Sequence, residues 1–245
     1  VAPTTTVTFS DAPKYVAKGI TYYGQNLAAS LASEDGMSGL DQIFYSVNGA
    51  KYGIYAKTVE FNKENTYRFY YYAIDRVGND EEAKQKDFIV DLTPPNTTFT
   101  LSGKRLDATN IFSPKVLIDL KAQDSLSGVK KISWRITDKD DAVYRQKIGM
   151  SSLADGAYAL TYRATDNVNN EEVYKDLKFY LDRIAPEVTA VIQGDVYRTN
   201  GKAYVSERST ISLTATDNKA GVEAIYFAQD GKTKRTYDQP FKIVG

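Results

Sequence analysis

Three segments of this chain share a motif in which an aspartate is followed, four positions later, by a glycine and then by aliphatic and aromatic residues. The segments read EDGMSGLDQIFYSV (34–47), QDSLSGVKKISWRI (123–136) and TDNKAGVEAIYFAQ (216–229). They recur about every 90 residues, and self-similarity at a fixed period is the signature of a repeated structural unit. The 245 residues are therefore predicted to form three tandem repeats rather than one large domain.

A second motif marks the boundaries between the repeats. The segment FIVDLTPP (88–95) is echoed by FYLDRIAP (179–186), and the opening VAPTTTVTF resembles the residues that follow in both places. We place the boundaries at these prolines, which gives repeats at 1–93, 94–184 and 185–245. On this reading Val1 follows a linker aspartate that lies outside the sequence.

The third repeat is predicted to be incomplete. It has counterparts of the early strands, but none of TYRFYYYAID (66–75) or of the FIVD strand. It is about 30 residues shorter than the others, so roughly two strands of about seven are missing by the sandwich template. We expect the native chain to continue beyond Gly245, and a strand donated by another chain is the alternative.

Period-two alternation predicts strands throughout. In TYRFYYYAID the residues of one face are matched in AYALTYRATD (157–166), whereas the residues of the other face differ freely. Because side chains alternate between the two faces of a strand, we assign the matched face to the core. The matched residues are Tyr67, Phe69, Tyr71 and Ala73 in the first repeat and Tyr158, Leu160, Tyr162 and Ala164 in the second.

One segment has the composition of a helix. NLAASLASED (26–35) is rich in helix formers, yet its counterparts VLIDLKAQD (116–124) and STISLTATD (209–217) alternate and contain β-branched residues. Tertiary context can override local propensity, so we predict a strand here too.

The predicted fold class is all-β, with tandem immunoglobulin-like antiparallel β-sandwiches in an extended row. Each repeat should have about seven short strands separated by Gly, Asn and Asp turns. Tyr45, Trp134 and Phe227 suit the aromatic of the third strand, and Trp134 is expected to be buried between the sheets. Tyr67 and Tyr158 suit the tyrosine corner of such a sandwich.

Composition removes several classes of function. The chain has no cysteine and no histidine, which excludes disulfides, Ser-His-Asp or Cys-His catalysis and imidazole metal sites. Its 31 basic and 31 acidic residues balance, so a nucleic-acid partner is not expected. No apolar run approaches the ~20 residues of a membrane span, so no membrane insertion is expected in this fragment. Carboxylates in repeated turns favour scaffolding over catalysis, and we predict that the chain is not an enzyme.

These motifs together resemble those of bacterial immunoglobulin-like domains, which stand in tandem in large cell-surface and secreted proteins, many of them adhesins. The signals are the Asp-Gly turn, the Tyr-x-x-x-Tyr-x-Ala-x-Asp strand end and the Asp-x-x-x-Pro linker. The resemblance implies an exported protein at the cell surface or outside the cell. Its partners would be neighbouring domains of the same protein and a host or cell-surface protein or glycan.

Acidic residues of the turns and linkers are candidate calcium ligands. The two loops at one end of an immunoglobulin-like module should meet the linker aspartate of the preceding module, and hard oxygen ligands suit calcium. Some bacterial immunoglobulin-like adhesins use calcium at such junctions. The alternative is structural, because aspartate and asparagine also cap turns by bonding backbone amides. The candidates are Asp91, Asp124, Asp166, Asn170, Glu171, Asp182 and Asp217.

Tyrosines are the second set of candidates. Tyr22, Tyr23, Tyr70 and Tyr72 are possible ligand-facing aromatics for a glycan or a protein, although tyrosine in strands mostly reflects packing. Three functions follow from the sequence: a non-enzymatic structural or adhesive stalk, a carbohydrate- or protein-binding module, and an accessory region of a secreted enzyme.

Overall fold

The structure, a computed structural model, describes residues 1–137, 139–229 and 231–242. These residues form strands and turns, and the one helix among them is a single 3-10 turn, Asp107–Thr109. No helix in the described part is long and apolar enough to cross a bilayer. The chain divides into two compact units, one of residues 1–100, 119–147 and 160–177, the other of residues 101–118, 148–159 and 178–245. The domain boundaries at 93 and 184 stay predictions.

Residues 1–93 contain two sheets that share one core. Their strands are β1 (Thr4–Phe9), β2 (Lys14–Ala17), β3 (Ile20–Tyr23), β4 (Ala28–Glu34), β5 (Leu40–Val47), β6 (Gly53–Ile54), β7 (Val59–Glu60), β8 (Asn65–Asp75) and β9 (Lys84–Val90). One sheet has the order β1-β4-β7 and the other the order β2-β3-β9-β8-β5-β6. All pairs are antiparallel except β3 with β9. This is the arrangement of an immunoglobulin-like sandwich.

The core of residues 1–93 is built from the predicted face of β8. Tyr67, Phe69, Tyr71 and Ala73 are all buried, which confirms the assignment. Leu31 packs against them from β4, so the segment of helical composition is a strand, as predicted. It forms a strand because β1 pairs with it over six residue pairs, and this ladder outweighs a propensity difference of a few tenths of a kcal/mol per residue.

Residues 94–184 repeat the same plan. Their strands are β10 (Asn96–Ser102), β11 (Arg105–Leu106), β12 (Ile111–Phe112), β13 (Leu117–Gln123), β14 (Val129–Ile136), β15 (Ala142–Val143), β16 (Ile148–Gly149), β17 (Gly156–Asp166) and β18 (Lys175–Leu181). The sheet orders are β10-β13-β16 and β11-β12-β18-β17-β14-β15. Among their described residues, each of the first two repeats thus has nine strands instead of about seven. In each case the two additional strands form a hairpin at the edge of the larger sheet. The hairpin is β2 and β3 beside β9 in the first repeat, and β11 and β12 beside β18 in the second.

The tyrosine corner is present in both repeats. The Tyr67 hydroxyl donates to the Lys63 carbonyl oxygen at 2.9 Å, and the Tyr158 hydroxyl donates to the Ala154 carbonyl oxygen at 3.1 Å. Both bonds reach back four residues along the chain, as the motif requires.

Trp134 departs from its predicted environment. It lies opposite Tyr162 in the β14–β17 ladder, on the core side, but it is only half-buried. Its counterparts Tyr45 and Phe227 are half-buried as well. The prediction of full burial is therefore wrong, because the strand beside Trp134 is the two-residue β15, which leaves this margin of the sheet thinly covered.

Residues 185–242 form shorter sheets. Their strands are β19 (Glu187–Gln193), β20 (Val196–Thr199), β21 (Lys202–Val205), β22 (Thr210–Thr216), β23 (Tyr226–Phe227), β24 (Arg235–Thr236) and β25 (Phe241–Lys242). They pair as β19-β22-β25, β20-β21 and β23-β24. No hydrophobic side chain in the described part of this segment is fully buried. The prediction that this repeat is incomplete stays a prediction.

Candidate functional site

The Asp-Gly motif forms the same turn three times. The carboxylate of each aspartate accepts a hydrogen bond from the amide of the glycine four positions later, at 2.7 Å, 2.7 Å and 2.8 Å. The three glycines, Gly39, Gly128 and Gly221, have φ of 79°, 80° and 79°. Glycine populates this left-handed region without the steric cost that a β-carbon brings. Turn chemistry thus accounts for the motif.

A second turn accounts for the motif between the last two long strands of the first two repeats. Asp75 Oδ1 accepts from the amides of Val77 at 3.0 Å and Asn79 at 2.8 Å. Asp166 Oδ1 accepts from Val168 at 2.9 Å and Asn170 at 2.7 Å. The Asp-x-Val-x-Asn spacing follows from this geometry, since the same oxygen caps two amides of one turn.

The acid that ends each of these motifs joins the first strand of the repeat to the turn. Glu81 Oε1 accepts from the amide of Thr5 at 2.9 Å and pairs with Lys84 at 2.6 Å. Glu172 accepts from the amide and hydroxyl of Thr97 at 2.8 Å and 2.6 Å. Sequence reasoning missed these residues. The available signal was Glu-x-x-Lys at the same position in both repeats, Glu81 to Lys84 and Glu172 to Lys175.

The linker aspartate Asp91 lies in the turns of the second repeat. Its side chain is fully buried. Its Oδ2 accepts from the amide of Ser127 at 2.9 Å, and its backbone oxygen accepts from Asn170 Nδ2 at 2.9 Å. Asp182 repeats the pattern, because its Oδ2 accepts from the amide of Ala220 at 2.9 Å. Each linker is therefore held by its own aspartate to the Asp-Gly turn that follows it.

At the first linker three carboxylates converge. One oxygen each from Asp91, Asp124 and Asp166 lies within 4.8 Å of the others, and Asp91 and Asp166 are 0% exposed. Burial raises the pKa of Asp166, and the neighbouring Asp91 carboxylate raises it further, despite the hydrogen bonds that Asn170 donates. Like charges this close repel one another, and a bound cation would relieve that repulsion.

The equivalent turns of the first repeat have two carboxylates, and a serine hydroxyl bridges them. There the Ser38 hydroxyl bonds to both Asp35 at 3.1 Å and Asp75 at 2.7 Å. In the second repeat the counterpart of Ser38 is Ser127, whose Oγ is buried without a hydrogen-bond partner among the described residues. In the second repeat Asp91 Oδ2 accepts from the amide of Ser127, and the Ser127 hydroxyl forms no bridge between the two turn aspartates.

The other four residues predicted as calcium ligands are not among the three converging carboxylates. Asn170 donates its Nδ2 to Asp166 Oδ2 at 2.7 Å, and its role as an oxygen ligand stays a prediction. Glu171 is outside the cluster, because its carboxylate pairs with Arg163 at 2.6 Å. Asp182 and Asp217 border the second linker, but they are not part of a close group of three acids; the described residues contain one such group.

Val168 packs against the first repeat. It is 0% exposed, whereas its counterpart Val77 is 73% exposed. The close neighbour is Gly24, where an added β-carbon would lie 2.6 Å from the Val168 carbonyl oxygen. Glycine at position 24 therefore allows the turn of one repeat to approach the end of the other.

The predicted ligand-facing tyrosines divide into two groups. Tyr23 is buried and packs against Phe88 at 5.7 Å, so its assignment as a ligand-facing residue is wrong. It points inward because β3 extends the larger sheet and Tyr23 lies on the core side of that strand. Tyr22, Tyr70 and Tyr72 are half-buried and retain contact with solvent.

Comparison with known proteins gives no family. No family model matches the sequence, and no curated protein matches it. Among solved structures, the fibronectin(III)-like modules of Clostridium thermocellum CbhA align over 72% of this chain and 94% of theirs, with 10% identity and a TM-score of 0.37. The dimeric latent PorU of Porphyromonas gingivalis aligns over 87% of this chain and 27% of its own, with 15% identity and a TM-score of 0.31. With scores this low, the fold assignment rests on the sheets of the chain itself.

The Asp75 turn leads to a prediction about pH. Burial opposes ionisation of Asp75, but hydrogen bonds from Asn79, Ser38 and Val77 outweigh it and hold its pKa well below the usual range. A lowered folded-state pKa contributes stability that is present above the unfolded value of about 3.9 and is lost as the pH falls through the folded value. Asp75→Asn should therefore flatten the fall in unfolding free energy below about pH 4, as measured by urea titrations.

The control for this measurement is Asp41→Asn, which removes the same charge from an exposed position. It should leave the slope of stability against pH unchanged. Equal slopes for the Asp75 variant and the parent chain would show that the turn does not favour the ionised carboxylate.

Proposed function

We propose that this chain is a non-enzymatic spacer from an exported bacterial surface protein, in which tandem immunoglobulin-like modules present another part of that protein. The observation that carries the proposal is the buried Asp91, which is bonded by its side chain and its backbone to two different turns of the following repeat. A linker held in this way restricts the angle between modules, which is what a spacer requires.

The composition of the linker supports the same function. Residues 91–95 read DLTPP, and proline fixes φ and removes a backbone donor, which stiffens a short connection. Asp91 adds a bond from its own amide to the Tyr23 carbonyl oxygen at 2.9 Å. Thr93 contributes a hydroxyl bond to Glu64 at 2.6 Å. The linker is thus bonded to the repeat before it as well as to the repeat after it.

Small-angle X-ray scattering tests the spacer function. An extended row of modules should give a pair-distance distribution with a long tail and a maximum dimension well above that of a sphere of the same mass. A symmetric, compact distribution would contradict the proposal, because modules packed side by side cannot hold another domain at a distance.

The carboxylate cluster adds calcium to the proposal. Calcium takes 6–8 oxygens at about 2.3–2.6 Å and favours carboxylates, and a divalent cation would relieve the repulsion between Asp91 and Asp166. Asp124 lines a cleft of ≈ 680 Å³ beside the linker, so one of the three carboxylates borders this cleft. In this proposal a calcium ion adds to the hydrogen bonds that already hold the first linker to the second repeat.

Melting curves in calcium and in chelator provide the measurement. A ligand that binds only the folded state at 100 times its Kd stabilises by about 2.7 kcal/mol, so the melting temperature should rise with calcium. Asp124→Asn should abolish the rise, because it removes a charge while keeping an oxygen for the turn.

The matched control is Asp35→Asn, the same change in the equivalent turn of the first repeat, which should leave the calcium response intact. If calcium and chelator give the same curve for the parent chain, the calcium proposal is wrong and the three aspartates are turn residues.

A further inference from the structure

Residues 185–242 contain only part of the larger sheet that the first repeat has. In the first repeat the strand order of that sheet is β2-β3-β9-β8-β5-β6, whereas in residues 185–242 two separate pairs, β20-β21 and β23-β24, stand in its place. Their pairing matches β20 and β21 to β2 and β3, and β23 and β24 to β5 and β6. Among the described residues, no strand takes the two positions that β8 and β9 hold in the first repeat. We refer to these two positions as the gap.

One side of the gap is formed by residues 222–229. The matching residues of the first repeat form β5 and pair with β8 at seven positions. In residues 222–229 the strand is limited to Tyr226–Phe227, which pair with β24, because the described residues supply no ladder on its other side. The Ile225 carbonyl oxygen accepts from the amide of Tyr237 at 2.8 Å on the β24 side. Backbone groups of successive residues point to opposite sides of a strand, so the Tyr226 amide points into the gap.

The other side of the gap is formed by β21. In the first repeat β3 pairs in parallel with β9. The matching strand β21 pairs with β20, and the described part of the chain supplies no partner for its other side. Tyr197 and Tyr204 of this hairpin are exposed. The gap therefore has one side that takes an antiparallel strand and one side that takes a parallel strand.

A third contact of the first repeat has no counterpart at Val188, which stands in β19 where Thr5 stands in β1. Thr5 is 1% exposed and its amide donates to Glu81 Oε1, whereas Val188 is 55% exposed. Glu81 belongs to the segment that joins β8 to β9. A cleft of ≈ 650 Å³ is lined in part by Val222 and Tyr226. In the first repeat a single hairpin, β8 with β9, pairs with β5, pairs with β3 and bonds to Thr5.

These observations select a β-hairpin as the occupant of the gap. A single strand would pair with one side only, and a helix has its backbone groups bonded within itself. A second copy of the chain does not fit, because its own hairpins are part of cores. Phe69 of β8 and Phe88 of β9 are buried, as are Leu160 of β17 and Phe179 of β18, so donating either hairpin would open a core.

We infer that residues 185–242 bind a β-hairpin of a partner polypeptide, whose first strand pairs antiparallel with residues 222–229 and whose second strand pairs parallel with β21. In such strand addition, main-chain hydrogen bonds supply affinity and alternate side chains supply specificity. The partner should have apolar residues at every second position of its first strand, as β8 has, and an acid after its turn that accepts from the Val188 amide. The inference goes beyond the spacer function and does not depend on it.

Isothermal titration of the whole chain with a synthetic peptide of residues 65–90, which contains β8 and β9, tests the inference. The peptide should bind one to one. A peptide of residues 65–75 meets one side of the gap and should bind at least ~10-fold more weakly, a factor equal to about 1.4 kcal/mol. Equal affinities for the two peptides, or no binding of the longer one, would overturn the inference.

Two variants of Tyr226 locate the site. Tyr226→Pro removes the amide that points into the gap, and Tyr226→Ala removes the same ring but keeps that amide. The alanine variant should weaken binding by at most ~5-fold, the range for one cross-strand side-chain pair. The proline variant should weaken it at least ~10-fold more than that, because proline takes a donor out of the ladder. Equal effects of the two variants would contradict the inferred pairing.

Hydrogen exchange of the unchanged chain keeps the outcome decisive if the proline variant loses its fold by circular dichroism. The longer peptide should slow the exchange of amides in residues 202–205 and 222–229. Loss of protection in residues 65–90 of the chain, with no change in those two segments, would overturn the inference, by showing that the peptide replaces β8 and β9 of the first repeat.

Discussion

Replacing Val168 with aspartate is expected to lower the free energy of unfolding by about 3–5 kcal/mol, the range for a buried charge without a partner. Val168 is 0% exposed and lies against Gly24, with no room for water between them. The new carboxylate would also stand beside Asp166, whose pKa burial and Asp91 already raise. Urea unfolding at neutral pH, followed by circular dichroism, measures the loss.

The matched control is Val77→Asp, the same substitution at the equivalent position of the first repeat. Val77 is 73% exposed, and exposed substitutions of this kind usually stay within about 0.5 kcal/mol. A similar loss for both variants would show that Val168 matters to its own turn and not to the contact with Gly24.

Phe69→Ala is expected to cost about 3–5 kcal/mol, the range for large aromatic truncations in cores. Phe69 is 0% exposed and contacts three rings at centroid distances of 5.5 Å to Phe61, 5.7 Å to Tyr71 and 6.1 Å to Tyr45. Its removal leaves a cavity that these rigid neighbours cannot fill. Thermal and urea unfolding of the whole chain provide the measurement.

Arg68→Ala on the same strand serves as the control, because Arg68 points outward and is exposed. It should change the unfolding free energy by less than about 0.5 kcal/mol. A large effect at Arg68 with a small one at Phe69 would reverse the assignment of the two faces of β8.

The repeat made the core predictable from the sequence. Positions 67, 69, 71 and 73 keep their character in the second copy while their neighbours change, and only burial on one face imposes that pattern. The hairpins before the second long strand were not predicted. In the third repeat the signal was present as Asn200–Gly201, whose φ values of 47° and 71° suit a two-residue turn. In the first repeat the turn is Lys18–Gly19, which is a weaker signal.

The candidate site was predicted in part. Asp91, Asp124 and Asp166 could be expected to meet because the ends of known strands fix where their loops lie. The repeated Glu-x-x-Lys spacing could have singled out Glu81 and Glu172, but their partners could not be predicted, because those lie on strands about 75 residues away. The motif is the same around Val168 and Val77, so the sequence alone could not predict that only Val168 is buried. Its burial depends on the neighbouring surface at Gly24.

The position of the first and last strands of residues 1–93 determines how this module responds to tension. The chain enters through β1 and leaves through β9, and these strands belong to different sheets. A pull on the two ends would load the six residue pairs between β1 and β4 in shear, so that they must break together and not one after another. Glu81 and Lys84 bond to the amide and the carbonyl oxygen of Thr5 in β1 and add two cross-links to that load path. Forced unfolding is governed by the unfolding rate. We therefore expect the contacts of β1, the strand by which the chain enters, to set the force at which this module unfolds.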